Sequence, residues 1–191
     1  MKIILFLGRS GCGKGTQAKL LIKKLDYEYI GSGELLRKRS EIDDFTGNKM
    51  NEILEKGILP PIGIVFTQWI YKLDELKNKR KENSVNGIVI DGSPRRIMET
   101  YLLEEIFKWY EWDDINFILL DISREESAKR LREREREDDN EKAINNRLDF
   151  YEKEVVPIVK YLKSKDKLIT INGEKSIEEV NQNILKAFND K

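Results

Sequence analysis

Residues 7–16 read LGRSGCGKGT, with four glycines in ten positions and Lys14 set among them. Backbone with so little side chain can curl into a concave nest of N–H groups, glycine supplying the φ angles and the close approach. A helix that starts there adds the positive end of its dipole. The chemistry is the cradling of a polyphosphate. Gly11, Cys12, Gly13 and Gly15 offer backbone amides, Lys14 a point charge, and Thr16 a hydroxyl for a phosphate or a cation. The strict loop pattern asks for Ser or Thr directly after the Lys. Here Gly15 stands there and Thr16 comes one place late, while Cys12 reads as a small filler.

Composition narrows the rest. The chain has no His and one Cys, which removes His-based acid–base chemistry and a Cys/His zinc site. Lys, Arg, Asp, Glu, backbone amides and an oxygen-bound cation are left to do the work. Lys plus Arg equals Asp plus Glu, 35 each, which argues against a dedicated nucleic-acid binder. A lone Cys12 cannot form an intramolecular disulfide, so a reducing, cytoplasmic setting is expected. No run of about 18 apolar residues occurs, the first residues start a strand, and no leader pattern is visible, so no membrane partner is expected.

These residues need elements to hold them. KIILFL (2–7), GIVIDG (87–92) and INFILLDI (115–122) are nearly continuous apolar runs, as strands buried on both faces would be. YEYIG (27–31) and KLITIN (167–172) are weaker candidates. Helical patterns fall at 15–25, 62–81 (just after Pro60 and Pro61), 97–109, 123–136, 140–164 and 176–189. Strands alternating with helices predict a parallel sheet covered on both faces, with ligands beyond the strands' carboxyl ends. Asp91 ends one strand, and Gly92 and Arg95 follow it. A carboxylate at Asp91 can hold water on Mg2+; capping a helix or pairing with Lys14 would explain it too.

GxxGxGKGTQ (8–17) resembles the phosphate loop of adenylate kinase and its nucleoside monophosphate kinase relatives. Five further segments follow in the same order: GSGELLR (31–37), KGILPP (56–61), IDGSPR (90–95), REDDNEKAINNRLDFY (136–151) and INGEKSIEEV (171–180). The resemblance spans nearly the whole chain. It implies an α/β fold: a P-loop NTPase-type parallel sheet of about five strands with helices on both faces. It also implies a single domain with a core (1–30, 62–123, 141–191), a small helical monophosphate-binding insertion (31–61) and a very short lid (124–140). The implied reaction is Mg-dependent transfer of a phosphoryl group from ATP to AMP by a monomer. Such a transfer needs alignment, cations around the moving group and exclusion of water, with little covalent help.

By the same resemblance Arg37 and Arg95 grip the monophosphate, with Ser32, Gly92 and Glu99 beside it. Arg134, Arg136 and Arg147 close on the transferring group, and Asp91, with Thr16, serves hydrated Mg2+. Arg130 shares a helical face with Arg134 and is counted with it toward ATP. The alternating run RLREREREDD (130–139) reads equally as a solvated helix face. Asp138 and Asp139 suit a lid hinge and a helix cap equally well.

The sequence departs from the family pattern in four places. Only Glu135 separates Arg134 from Arg136, so the lid is reduced and water is less well excluded. Ser10 replaces the loop's usual Pro. Ser93 replaces an aromatic, which is expected to loosen packing beside Arg95. Glu99 stands where adenylate kinases place the Gln that reads the AMP base. An ionised Glu only accepts hydrogen bonds, so it faces adenine N1 with a lone pair, and guanine, with two adjacent donors, suits it better. AMP stays the expected acceptor as the family's commonest one. UMP, CMP or another monophosphate, nucleotide binding without transfer, and plain ATP hydrolysis are the alternatives.

Overall fold

The computed structural model describes residues 1–56, 58–82, 85–134 and 140–189. A five-stranded sheet forms the centre, with β1 (Lys2–Leu7), β2 (Glu28–Gly31), β3 (Gly87–Asp91), β4 (Asp114–Asp121) and β5 (Leu168–Asn172) in the order β2-β3-β1-β4-β5. Every pairing is parallel. The near-continuous apolar runs have the cause the sequence suggests. Ile3, Leu5 and Leu7 face one core cluster, and Ile4 and Phe6 face the other. Ile88 and Ile90 against Val89, and Phe117 and Leu119 against Ile118 and Leu120, repeat the division. Alternation is present, but both sides are apolar because both are covered.

Five helices lie between strands or beside them: α1 (Lys14–Leu25), α2 (Ser32–Ser40), α3 (Phe45–Glu55), α4 (Ile62–Glu82) and α5 (Ile97–Trp109). After β4 come α6 (Arg124–Glu133), α7 (Glu141–Phe150), α8 (Val156–Ser164) and α9 (Ile177–Asn189). Trp69 and Leu73 of α4, Leu103 and Phe107 of α5, and Ile158 and Leu162 of α8 fill one face of the sheet. Ala18 and Leu21 of α1 and Val180 and Ile184 of α9 fill the other.

The pattern over 140–164 predicts one helix, and the chain stays helical from Glu141 to Ser164; a π-helical turn, Tyr151–Val155, interrupts the α ladder between α7 and α8. Pro157 falls in the first turn of α8 and has no N–H to continue the α ladder, so the helix widens just ahead of it.

β1 connects to β2 on one side of the sheet while β3 connects to β4 on the other. The crevice at the carboxyl ends of β1 and β3 is therefore a topological switch point, where ligands bind in open α/β sheets.

Candidate functional site

The loop after β1 turns into α1 through backbone only glycine adopts easily. Gly13 precedes the helix at φ 96°. Gly8 is held by space: a methyl group built on it would lie 2.5 Å from Leu120 O. Cys12 is buried, and its N–H donates to Arg9 O (3.2 Å). Lys14 Nζ curls over the loop, donating to Gly8 O (2.8 Å) and Arg9 O (2.9 Å), with Cys12 Sγ at 3.5 Å. Thr16 is exposed in the first turn of α1, which holds no acidic residue, so the positive field of the helix start is not offset within the helix. α6 lies directly on this loop: Ser127 Oγ donates to Ser10 O (2.6 Å), and a methyl on Gly11 would lie 3.4 Å from Ser127 O.

Across the crevice, half-buried Asp91 ends β3. A methyl on Gly15 would sit 3.4 Å from Asp91 Oδ2, so this carboxylate overlooks the start of α1. Tyr29 O–H donates to the same oxygen at 3.5 Å. Burial first, then the charges of Asp91 and Glu34, push the Tyr29 pKa up to about 12, so the phenol keeps its proton. Among the described residues no group of three Asp, Glu, Cys or His could form a metal cage. The half-buried carboxylate of Asp91 and the exposed hydroxyl of Thr16 are oxygen donors of the kind a hydrated magnesium ion would take.

Beyond Asp91 a small open cleft is lined by Ser32, Leu36, Leu59, Pro60, Val65, Gly92, Ser93, Arg95 and Glu99. Ser32 Oγ is buried with no hydrogen-bond partner, an acceptor and donor in need of one. Glu99 is 4% exposed. Its Oε2 accepts from Arg95 N–H (2.7 Å) and Ser93 Oγ–H (3.3 Å), so the carboxylate also closes the first turn of α5. Ser93 is buried and supplies a donor to Glu99 from the wall of the cleft. Arg96, which the sequence did not single out, donates to Pro60 O (3.2 Å) and Leu59 O (3.4 Å) and pins one wall of the cavity.

Burial pushes the Glu99 carboxyl above the ordinary glutamate value; the Arg95 N–H, the charges of Arg96 and Arg95, and Ser93 pull it back only in part. The native protein then binds this proton more tightly than the unfolded chain. Stability from this group is complete below the unfolded value and is lost as pH rises through the native one. Glu99→Gln is therefore expected to gain stability relative to the parent as pH climbs through that window. Urea denaturation of both proteins at several pH values measures it; parallel pH profiles would contradict it.

Arg95 is exposed, and its Nε donates to Gly92 O (2.9 Å). Crowding lowers its pKa, Glu99 and Asp91 oppose that, and Arg147 adds to it. Solvent still reaches the guanidinium, so it stays charged. The same interactions show that Asp91, Arg95, Glu99 and Arg147 share one electrostatic neighbourhood. Arg37 is exposed on α2, its NH1 3.3 Å from where a methyl on Gly33 would be.

The arginines after β4 sort differently. Arg130 is not part of a merely solvated face. Its Nε donates to Glu126 (2.6 Å) and its NH1 to Gly173 O (2.9 Å), joining α6 to the turn after β5. Arg132 is exposed and forks onto Glu141 (2.6 and 3.1 Å). Arg134 follows the end of α6, and Arg147 lies half-buried on α7. Arg136, Asp138 and Asp139 lie outside the described residues.

Comparison with known proteins meets this geometry. A family model described as adenylate kinase matches residues 6–167. The chain is 32% identical over 182 residues to adenylate kinase 1 of Nostoc sp. (strain PCC 7120 / SAG 25.82 / UTEX 2576), covering 94% of this chain and 95% of that protein. It is 33% identical over 183 residues to an adenylate kinase of Prochlorococcus marinus (strain MIT 9515), covering 96% of each. An adenylate kinase of Leptospira biflexa serovar Patoc (strain Patoc 1 / Ames) is 33% identical over 192 residues, covering 98% of this chain and all of that protein.

Proposed function

The chain belongs to the adenylate kinase family and is a nucleoside monophosphate kinase of it; from that premise we propose that it transfers the terminal phosphoryl group of ATP to AMP, giving two ADP. The observation that carries the reading is the juxtaposition of two sites across the ends of β1 and β3. One is a loop built for a polyphosphate, the other a small cavity with Arg95 at its edge. A pure ATPase has no need of the second.

In this reading Lys14, the loop amides and Arg130 and Arg134 hold ATP. The excursion 31–61, carrying α2 and α3, binds the acceptor through Ser32, Arg37 and Arg95. Arg134, Arg136 and Arg147 neutralise charge on the group in flight, and 124–140 acts as a short lid. Magnesium, watered by Asp91, would screen the phosphates of ATP. The work of the protein is alignment and electrostatic stabilisation, for which arginines and amides suffice. No helix among the described residues is long and apolar enough to cross a membrane, and we place the reaction in the cytoplasm, in a monomer.

One observation favours a second acceptor. Glu99 lines the cavity as a carboxylate. Ionised, it suits the paired donors of guanine. Protonated, as burial favours, it offers O–H and C=O much as an amide offers N–H and C=O, and suits adenine. Purified protein with Mg-ATP and each of AMP, GMP, UMP, CMP and dTMP, with diphosphate products quantified, decides. ADP from AMP as the fastest product is expected; faster turnover of GMP would overturn the choice of base.

A further inference from the structure

Arg9 follows the first glycine of the phosphate loop, and its two ends reach different parts of the site. Its carbonyl accepts Lys14 Nζ (2.9 Å) and Cys12 N–H (3.2 Å). Its guanidinium lies 4.3 Å from the centre of the Tyr151 ring. NH1 donates to Ile122 O (2.8 Å), just past β4, and NH2 to Glu152 Oε1 (2.6 Å), with Asp121 at 3.9 Å. The side chain is only 15% exposed. Tyr151 N–H in turn donates to the carbonyl of Arg147, one turn back along α7. A continuous physical path thus runs from Lys14 through Arg9 and Tyr151 to Arg147, by way of the one π-helical turn among the described residues. Such turns recur at functional sites.

We propose that Arg9 is a positioning residue, a buried cationic strut that fixes the phosphate loop and Lys14 relative to the helix carrying Arg147. The inference rests on the reading of Lys14 and Arg147 as cations that flank the transferring phosphoryl. Arginine suits the task because it stays charged, stacks flat on an aromatic ring and donates in several fixed directions. Lysine keeps the charge and loses the stacking and the fork. NH1 and NH2 are both engaged by protein groups and the remaining Nε is buried without a partner, so in this proposal Arg9 acts through Lys14 and Arg147 and not on nucleotide.

The test uses the full chain with Arg9→Met, Arg9→Lys, Glu152→Gln and the Arg9→Met/Glu152→Gln double variant. Kinetics are run with whichever acceptor the parent uses and are corrected for folded fraction. Arg9→Met is expected to lose about tenfold to a hundredfold in kcat, as small misplacements do, with KM for both nucleotides changed by less than about threefold. Arg9→Lys is expected to recover only part of this. The double variant should be little worse than Arg9→Met, since the two changes cut one connection. Unchanged kcat per folded molecule, or a rise in KM for ATP alone, would overturn the proposal. Amide hydrogen exchange supplies a readout that needs no turnover. In Arg9→Met, residues 8–15 and 147–152 should open together while β5 and α9 stay protected. Unaltered exchange at 147–152 would also overturn it. Should the parent form no diphosphate, the proposed function fails, and hydrogen exchange still decides whether the strut exists.

Discussion

Arg95→Ala is expected to cut turnover by about a hundredfold to a thousandfold, the range for removing one donor aimed at developing charge. Stability should hardly change, within about 0.5 kcal/mol, because the side chain is exposed and its one described hydrogen bond is to Gly92 O. The backbone N–H of residue 95 still reaches Glu99, so the first turn of α5 is kept. What goes is a cation lining the cavity, within the charge fields of Glu99, Asp91 and Arg147. Steady-state kinetics and urea denaturation on the same preparation separate the two effects. A normal kcat, or a kcat lost in proportion to stability, would remove Arg95 from the proposed machinery.

Lys14→Met should be at least as severe, about a thousandfold in turnover with weakened ATP binding. Methionine keeps the length of the stem and removes the charge. In the structure Nζ is held by the carbonyls of Gly8 and Arg9 at the mouth of the loop, and it can exchange those acceptors for phosphate oxygens with a small swing. Lys14→Arg should recover little, because a planar fork does not reproduce the compact ammonium held by the carbonyls of Gly8 and Arg9. Titration of the variants with Mg-ATP and measurement of kcat check both points. Parent-like turnover in Lys14→Met would contradict the assignment.

Much of this was legible in the sequence for physical reasons. The strands β1, β3 and β4 stand out because both faces of each are buried, so Ile3 and Ile4, or Val89 and Ile90, are apolar side by side. The loop stands out because its backbone takes positive φ at Gly8, Gly11 and Gly13, where glycine is the residue that adopts it easily. Other features depend on partners far away along the chain. Arg9 looks like any loop residue until the fold brings it to Ile122 and Glu152, 113 and 143 positions away. Arg130 reads as one charge among many until it meets the carbonyl of Gly173. Ser93 reads as the loss of an aromatic, and in the fold its hydroxyl serves a buried carboxylate. The π-helical turn at Tyr151–Val155 left only Pro157 as a signal, since the apolar period runs on through it.

The most direct measurement follows the label from [γ-32P]ATP with and without AMP in the presence of Mg2+. Phosphoryl transfer between two bound nucleotides predicts label in ADP, formed only when AMP is present, with little released as inorganic phosphate. Label appearing as inorganic phosphate at the same rate without AMP, or staying in ATP while ATP remains bound, would contradict it.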